Sequence, residues 1–288
     1  IGVNMEELRA NLKSKKRVVV KIGSSSLQHP ETGELDYIKI DILVRELCNL
    51  QNQGKDVILV TSGSISCGRK AIGLKETKTV SQKQACAAIG QARLMTTYQK
   101  IFSEYNHYAA QILMTRNTIV DNVNRFNAQN TFNELLSMGV IPVVNENDTI
   151  STFELDKVVG ENDTLSAIVT ALTNADLLIL LSDINGLYTD DPRQNKDAQF
   201  IERVDCLTDE LMQMGKASTG SSVGTGGMET KMIAAKIATY SGADMVIASG
   251  KDVRIIHRIM EGRNYGTIFK ANKNETFDFA AFLDQLHK

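Results

Sequence analysis

The feature that most constrains the fold is a repeated order of segments: a short aliphatic block, a loop of small polar residues, and then a segment with helical spacing. The blocks are clearest at residues 18–20, 57–60, 140–144 and 176–181. Uninterrupted aliphatic runs of this length are typical of strands that are buried on both faces of a parallel sheet. The repeated order therefore predicts an α/β fold on a mostly parallel sheet.

Small polar residues directly follow three of these blocks. Residues 21–26 read KIGSSS, residues 61–68 read TSGSISCG and residues 145–148 read NEND. In an open α/β sheet, ligands bind at the carboxyl ends of the strands. Backbone N–H groups of a glycine and serine loop can bind phosphate oxygens, and a nearby lysine adds positive charge. One such loop is also typical of an ordinary turn, but its recurrence at one sheet edge favours a phosphate site.

Two lysines, Lys21 and Lys231, stand in glycine-rich surroundings far apart in the chain. Lys231 ends the segment TGGMETK, after which we predict a helix over residues 232–240. The chain has no P-loop, no dinucleotide-binding fingerprint and no protein-kinase signature set. Phosphoryl transfer depends mainly on positioning and on neutralising the charge of the moving group. We predict that both lysines face one cavity, and that a carboxylate such as Asp163 holds Lys21 in one rotamer.

The region before Asp163 contains two further expected features. Residues 149–159 alternate weakly in polarity and predict a small hairpin over the site. Residues 164–173 form a predicted helix, for which Asn162 or Asp163 would be a good N-cap. Capping explains one of these two residues but does not require both.

Composition limits the class of protein. Of the 288 residues, 42% are hydrophobic and 23% are charged, so the chain can bury a sizeable core. The formal net charge of −2 gives no case for nucleic-acid binding, and no apolar run is long enough to span a bilayer. The four cysteines form neither a paired motif nor a metal-ligand pattern with histidine. We expect a soluble, cytoplasmic protein that binds neither nucleic acid nor membranes.

Six motifs occur together in a fixed order, and the combination is far more specific than any one of them. They are KIGSSSL (21–27), TSGSISCG (61–68), NEND (145–148), VVGENDTLSA (158–167), LLSDINGLYTDDP (180–192) and TGGMETK (225–231). This set resembles the amino acid kinases over roughly residues 16–269. Within that family it is most similar to the members that phosphorylate L-glutamate in the first step of proline biosynthesis.

The resemblance implies a three-layer α/β/α sandwich on an eight-stranded, mostly parallel sheet. ATP would bind near the C-terminal half and the acceptor near the N-terminal half. Residues 1–270 would form one amino acid kinase domain, and residues 271–288 a C-terminal helical tail. Many members carry an extra C-terminal RNA-binding-like (PUA) domain, which we expect to be missing from this chain.

The resemblance also implies the reaction and the roles of individual residues. ATP would phosphorylate the γ-carboxylate of L-glutamate, with Lys21 and Lys231 stabilising the transferring phosphoryl group and Asp163 orienting both lysines. Glutamate would be bound by Ser62, Asp148 and Asn162. ATP would be bound by Lys21, Ser182, Asp183, Thr225, Gly226, Gly227, Met228, Glu229, Thr230 and Lys231. Mg²⁺ would be held chiefly by the phosphates, so no dedicated metal site of the protein is expected.

This chemistry agrees with the residue types. A γ-carboxylate is already ionised at neutral pH, so the acceptor needs no general base. None of the four histidines lies in a predicted site loop. The α-ammonium group of glutamate does need an anionic partner, for which we choose Asp148; capping the turn after the strand is its alternative role.

Other functions stay open at this point. The nearest is another amino acid kinase, acting on acetylglutamate, aspartate, carbamate or a nucleoside monophosphate. A second is a module that senses ATP or an amino acid without turnover, although the presence of both lysines argues against it. The resemblance further suggests feedback inhibition by proline and a homo-oligomer, either a dimer or a tetramer. The candidate sensor or subunit contact is Thr115, Arg116 and Asn117.

Overall fold

In the computed structural model, the described residues are 2–151, 162–217 and 227–286. Their strands are β1 (Arg17–Lys21), β2 (Asp56–Val60), β3 (Ala109–Met114), β4 (Ile141–Glu146), β5 (Leu177–Ser182), β6 (Leu187–Tyr188), β7 (Phe200–Ile201), β8 (Arg203–Val204), β9 (Asp244–Ser249) and β10 (Thr267–Phe269). β6 and β7 form a separate antiparallel pair, and the other strands form the main sheet.

The helices of these residues are α1 (Met5–Ala10), α2 (Ser24–Leu27), α3 (Tyr37–Asn52), α4 (Ser64–Ala71), α5 (Val80–Glu104), α6 (Arg116–Val120), α7 (Asn122–Ser137), α8 (Asp163–Leu172), α9 (Asp209–Ala217), α10 (Met228–Tyr240), α11 (Ile255–Met260) and α12 (Phe279–Gln285). A 3₁₀ turn, Asn11–Ser14, follows α1. Within the described ranges, no helix combines the length and the apolar character that crossing a membrane requires.

The main sheet has eight strands in the order β3-β4-β2-β1-β5-β9-β10-β8. Neighbouring strands are parallel except for β9 and β10, which are antiparallel. The prediction of an eight-stranded, mostly parallel sheet is thus confirmed. β1 lies between β2 and β5, so the lysine at its end has a strand terminus on either side.

Alternating side chains along each central strand enter two separate cores, because successive residues of a strand point to opposite faces. In β1, Val18 and Val20 pack with α3, α5 and α11, whereas Val19 packs with α7, α8 and α10. In β5, Leu178 and Leu180 lie in the second core. The alternate residues Leu177, Ile179 and Leu181 lie in the first. Helices therefore cover both faces, which confirms the three-layer sandwich.

Three segments that we predicted as loops begin helices instead. Ser24–Leu27 forms the single turn of α2, and α4 begins at Ser64, directly after Gly63. Gly63 has a φ of 102°, a left-handed conformation that glycine adopts without steric cost, so the chain turns sharply from strand to helix there. The helix that we predicted from residue 232 begins at Met228. Met, Glu and Lys are good helix formers, and Glu229 in the first turn is favoured by the helix dipole.

Two other predictions are not tested by the structure: the hairpin over residues 149–159 and the domain boundary at residue 270. The hairpin expected over residues 149–159 lies mostly outside the described residues. In the expected tail, α12 carries Leu283, which packs into the second core. The boundary between a kinase domain (1–270) and a tail (271–288) stays a prediction.

Helices α4 and α5 pack at very short distance through two glycines. A Cβ atom at Gly90 would overlap the carbonyl oxygen of Ser64 and the backbone nitrogen of Gly68, and one at Gly68 would overlap the carbonyl group of Cys86. Such an approach of two helix backbones is possible only where neither residue has a side chain. This contact holds the start of α4 against α5.

We expect Gly90→Ala to destabilise the protein by about 2–3 kcal/mol, because the added methyl group has no space in this contact. Helix propensity alone would favour alanine by about 1 kcal/mol, so a net loss would measure the clash. Urea unfolding checks this, with Ala92→Gly on the exposed side of α5 as the control. The control should lose no more than about 1 kcal/mol. A Gly90→Ala protein as stable as the wild type would contradict the prediction.

Candidate active site

At the centre of the sheet edge, one carboxylate contacts two lysines. Asp163 is fully buried; its Oδ1 lies 2.7 Å from Lys21 Nζ and its Oδ2 lies 3.1 Å from Lys231 Nζ. Both lysine side chains are themselves at least 95% buried. The expectation that the two lysines meet in one place, with Asp163 beside Lys21, is confirmed.

Each of these residues lies at or near a terminus of its helix or strand, and the three termini meet at one edge of the sheet. Lys21 is the last residue of β1, Asp163 is the first residue of α8, and Lys231 lies in the first turn of α10. A carboxylate in the first turn of a helix is stabilised by the helix dipole. Thr230 Oγ1 lies 3.1 Å from Asp163 Oδ2, so it adds a hydroxyl donor to the same carboxylate.

The electrostatics favour an ionised Asp163. Burial by itself disfavours the charged carboxylate, but the ammonium groups of Lys21 and Lys231 together outweigh burial and hold the pKa of Asp163 below its ordinary value. Two cations share this one carboxylate, so the three groups carry an excess of positive charge. A phosphoryl group is the kind of anion that would balance it.

The residues expected to bind the acceptor lie on one side of this cluster, beyond the ends of β2 and β4. Ser62 Oγ is buried and has no hydrogen-bond partner among the described residues. Asp148 Oδ2 accepts a hydrogen bond of 3.0 Å from Ser64 Oγ, at the first residue of α4. A buried hydroxyl without a partner is costly, so Ser62 is suited to a ligand that supplies one.

Asn162 occupies the N-cap position of α8, but its side chain makes no capping hydrogen bond. Its backbone is left-handed (φ 68°), and its Nδ2 donates to the Thr61 carbonyl oxygen (2.6 Å) and to Asn145 Oδ1 (2.8 Å). Of the two predicted N-cap candidates, Asn162 thus holds the position, but its side chain does not make the capping bond. Asn162 instead joins α8 to the ends of β2 and β4.

Asn145 is a site residue that we did not select from the sequence. It lies within β4, which continues two residues beyond the predicted strand, and it is buried. The motif NEND did include it, so the density of polar residues after an aliphatic block was the available signal. What the motif lacks is any indication that Asn145 contacts Asn162.

The residues expected to bind the nucleotide lie on the other side, at the end of β5 and the start of α10. Ser182 Oγ donates to Asp183 Oδ1 at 3.0 Å. Gly227 precedes the first turn of α10, in which Met228 and Glu229 are half-buried. In the described ranges, no hydrogen bond or ion pair joins Ser182 or Asp183 to the lysine–aspartate cluster. Thr225 and Gly226 lie outside the described residues.

The strand order explains why the two sides flank the cluster. Lys21 is paired with Val60 of β2 on one side and with Leu180 of β5 on the other. Ser62 and Ser182 each follow these partners by two residues. The lysine at the end of β1 therefore lies between the acceptor side and the nucleotide side.

The site does not contain a set of metal ligands built from side chains in the part of the chain that the structure describes. No group of three or more His, Cys, Asp or Glu side chains there could hold a metal ion. Both oxygens of Asp163 contact ammonium groups. Phosphate oxygens are ligands that Mg²⁺ commonly uses in proteins.

Comparisons with known proteins give one consistent result. Residues 16–249 match the sequence model of the amino acid kinase family. A glutamate 5-kinase of Carboxydothermus hydrogenoformans is 49% identical over 93% of this chain and 71% of its own length. A glutamate 5-kinase of Clostridium perfringens is 45% identical over 93% of this chain and all of its own length.

Solved structures with a similar fold belong to more distant proteins. Isopentenyl phosphate kinase of T. acidophilum has a TM-score of 0.58 at 15% identity, over 88% of this chain and all of its own. UMP kinase of Bacillus anthracis has a TM-score of 0.59 at 15% identity, over 90% of this chain and 97% of its own. At this identity, the likeness concerns the fold alone.

We expect Asp163→Asn to lower the free energy of unfolding by about 3 kcal/mol at pH 7, because two buried ammonium groups lose their counter-charge. The folded-state pKa of Asp163 is lowered, so this stabilisation is complete above the unfolded carboxyl pKa of about 4. It is lost as the pH falls further, through the folded-state pKa.

Urea unfolding of the wild type and the variant between about pH 3 and 8 checks this pH dependence. The control is Asp205→Asn, an exposed carboxylate paired with Arg203, whose effect should stay small at every pH. A stability difference between the wild type and Asp163→Asn that widens on acidification would contradict the assignment.

Proposed function

Because the chain belongs to the amino acid kinase family, we propose that it transfers the γ-phosphoryl group of ATP to the γ-carboxylate of L-glutamate. The product is γ-glutamyl phosphate, and the reaction is the first step of proline biosynthesis. The observation that carries the proposal is the buried pair of lysines on Asp163, between an acceptor side and a nucleotide side. The glutamate 5-kinases with 45–49% identity support the choice of acceptor.

The reaction itself needs little help from proton transfer. An oxygen of the γ-carboxylate, already ionised at neutral pH, forms a bond to the γ-phosphorus of ATP. The bond from that phosphorus to the β,γ-bridging oxygen breaks, and its electron pair leaves with ADP. Lys21 and Lys231 balance the negative charge on the moving phosphoryl group, and Asp163 fixes where their ammonium groups lie.

On the acceptor side, three residues hold glutamate. Asp148 binds the α-ammonium group through its carboxylate, which Ser64 orients. The Ser62 hydroxyl, which has no hydrogen-bond partner among the described residues, donates to a carboxylate oxygen of glutamate. Asn162 is held by two hydrogen bonds from its own Nδ2, so its amide lies in one orientation relative to the substrate.

On the nucleotide side, ATP is held by Ser182 and Asp183 at the end of β5 and by residues 225–231. Backbone N–H groups at the start of α10 suit this role, because a helix N-terminus attracts phosphate. Mg²⁺ would be held chiefly by the phosphate oxygens, where it would neutralise part of their charge. Further proposals from the family resemblance are a cytoplasmic location, feedback inhibition by proline and assembly into a homo-oligomer.

The region proposed as a proline sensor or subunit contact has a definite place in the fold. Thr115 is the N-cap of α6 and forms a capping box with Thr118. Arg116 binds Asp284 of α12 at 2.6 Å. The segment thus joins the end of β3 to the last helix of the described chain.

An ADP-release assay with L-glutamate, N-acetylglutamate and L-aspartate as separate acceptors tests the function. We expect turnover with L-glutamate. Turnover with only one of the other two would overturn the choice of acceptor. Binding of ATP without turnover of any acceptor would instead favour a sensor.

We expect Lys231→Ala to lower kcat by at least about a hundredfold, because it removes one of the two lysine ammonium groups that stabilise the transferring phosphoryl group. Lys236→Ala is the matched control: Lys236 lies on the same helix, over the ring of Phe282, and should keep near-normal kcat. Steady-state kinetics with saturating L-glutamate and ATP measures both. A near-normal rate for Lys231→Ala would remove this residue from the mechanism.

We expect Asp148→Asn to raise the KM for L-glutamate at least about tenfold and to leave kcat close to normal. The asparagine can still accept from Ser64 but no longer supplies a negative charge for the α-ammonium group. The control is Asp121→Asn, which replaces one good N-cap of α7 by another. An unchanged KM for Asp148→Asn would show that another group binds the ammonium.

A further inference from the structure

A chain of side-chain amides leads from Asn162 to the edge strand β3 of the main sheet. Asn145 Nδ2 donates to Gln91 Oε1 at 2.9 Å, in addition to the contact between Asn162 and Asn145. Gln91 Nε2 then donates to Gln111 Oε1 at 3.0 Å. Gln91, on α5, is 6% exposed, whereas Gln111, on the edge strand β3, is exposed. Gln91 is thus the interior link between the acceptor side and the surface.

The direction of these hydrogen bonds is set by two backbone groups that cannot be turned over. The carbonyl oxygen of Thr61 can only accept, and it lies 2.6 Å from Asn162 Nδ2. The backbone N–H of Glu146 can only donate, and it lies 2.8 Å from Asn145 Oδ1. Asn162 must therefore present its NH₂ group to these partners, and Asn145 must present its oxygen.

This orientation leaves Asn145 Nδ2 buried and in need of an acceptor, because an unsatisfied buried donor is costly. Gln91 Oε1 is that acceptor. If Asn145 were turned over, its NH₂ group would face two donors, the N–H of Glu146 and the NH₂ of Asn162. An acceptor at position 91 therefore satisfies the one Asn145 donor that this direction leaves over.

We propose that Gln91 is a positioning residue for the acceptor amino acid: it accepts from the buried Nδ2 of Asn145 and so holds in place the amide chain that ends at Asn162. Both N–H bonds of Asn162 Nδ2 are used within the protein, so its side chain has only the oxygen left for a ligand. An oxygen acceptor suits the ammonium group of an amino acid. The inference rests on the proposed function and extends it to a residue that does not touch the substrate.

Two substitutions separate this role from simple packing. Gln91→Glu keeps an acceptor for Asn145, and the exposed Gln111 amide can turn over to donate to the new carboxylate. Gln91→Met has a similar length but no acceptor. If Gln91 merely filled space, the apolar methionine would be tolerated better than a buried charge. If Gln91 acts as the acceptor, the glutamate variant would keep substrate binding and the methionine variant would lose it.

The experiment measures KM for L-glutamate, KM for ATP and kcat for the wild type and both variants. For Gln91→Met we expect a rise of at least about tenfold in KM for L-glutamate, with KM for ATP within about twofold of the wild type. For Gln91→Glu we expect KM for L-glutamate within about threefold of the wild type. The control is Gln129→Met on α7, which loses one comparable bond, from Nε2 to the Leu172 carbonyl oxygen, and should leave every KM unchanged.

A normal KM for L-glutamate in Gln91→Met, or a rise in Gln91→Glu that exceeds the rise in Gln91→Met, would overturn the role of Gln91. Should Gln91→Met fail to fold, the glutamate variant decides alone: a KM near normal supports the role, and a large rise overturns it. Turnover of L-glutamate by the wild type tests the proposed function separately. If the wild type does not turn over L-glutamate, the proposed function fails and the inference fails with it.

Discussion

The rest of the structure depends on one buried carboxylate that two ammonium groups share. Placing Asp163 in the interior without partners would be strongly unfavourable, because an isolated charge loses its hydration there. Lys21 and Lys231 make the ionised form favourable, and in turn their own burial is tolerable because Asp163 lies between them. The ends of β1, α8 and α10 must therefore meet at one point, and the proposed phosphoryl transfer takes place at that point.

The order of the strands turns this cluster into a site with two sides. β1 has β2 and β5 as neighbours, so the loops after these two strands flank Lys21. The acceptor would be bound beyond β2 and β4, and the nucleotide beyond β5. In the proposed reaction, the phosphoryl group would pass between the two sides beside Lys21.

Helix α5 supports the acceptor side from behind. Gly90 allows it to contact the start of α4, Gln91 binds Asn145, and Tyr98 OH lies 2.8 Å from Thr61 Oγ1. The hydroxyl of Tyr98 is fully buried, and burial raises its pKa, so the group stays neutral in any ordinary buffer. Within three turns of this helix, Gln91 and Tyr98 contact the ends of β4 and β2, and Gly90 contacts the start of α4. The segments that carry the proposed acceptor residues are thus backed by a regular helix.

The amino-acid sequence alone determined the fold class, since aliphatic blocks of strand length followed by polar loops allow few architectures other than a parallel sheet between helices. It also singled out Lys21, Lys231 and Asp163, because charged residues beside glycine-rich turns are conspicuous in a linear pattern. Only the tertiary structure decided that residues as separate as Asn145, Asn162 and Gln91 form one hydrogen-bonded chain. Their contacts depend on how a helix lies across strand ends, a relation in space that has no local signature. The same reason explains the helix starts at Ser24 and Ser64: small polar residues resemble loops until packing fixes their backbone.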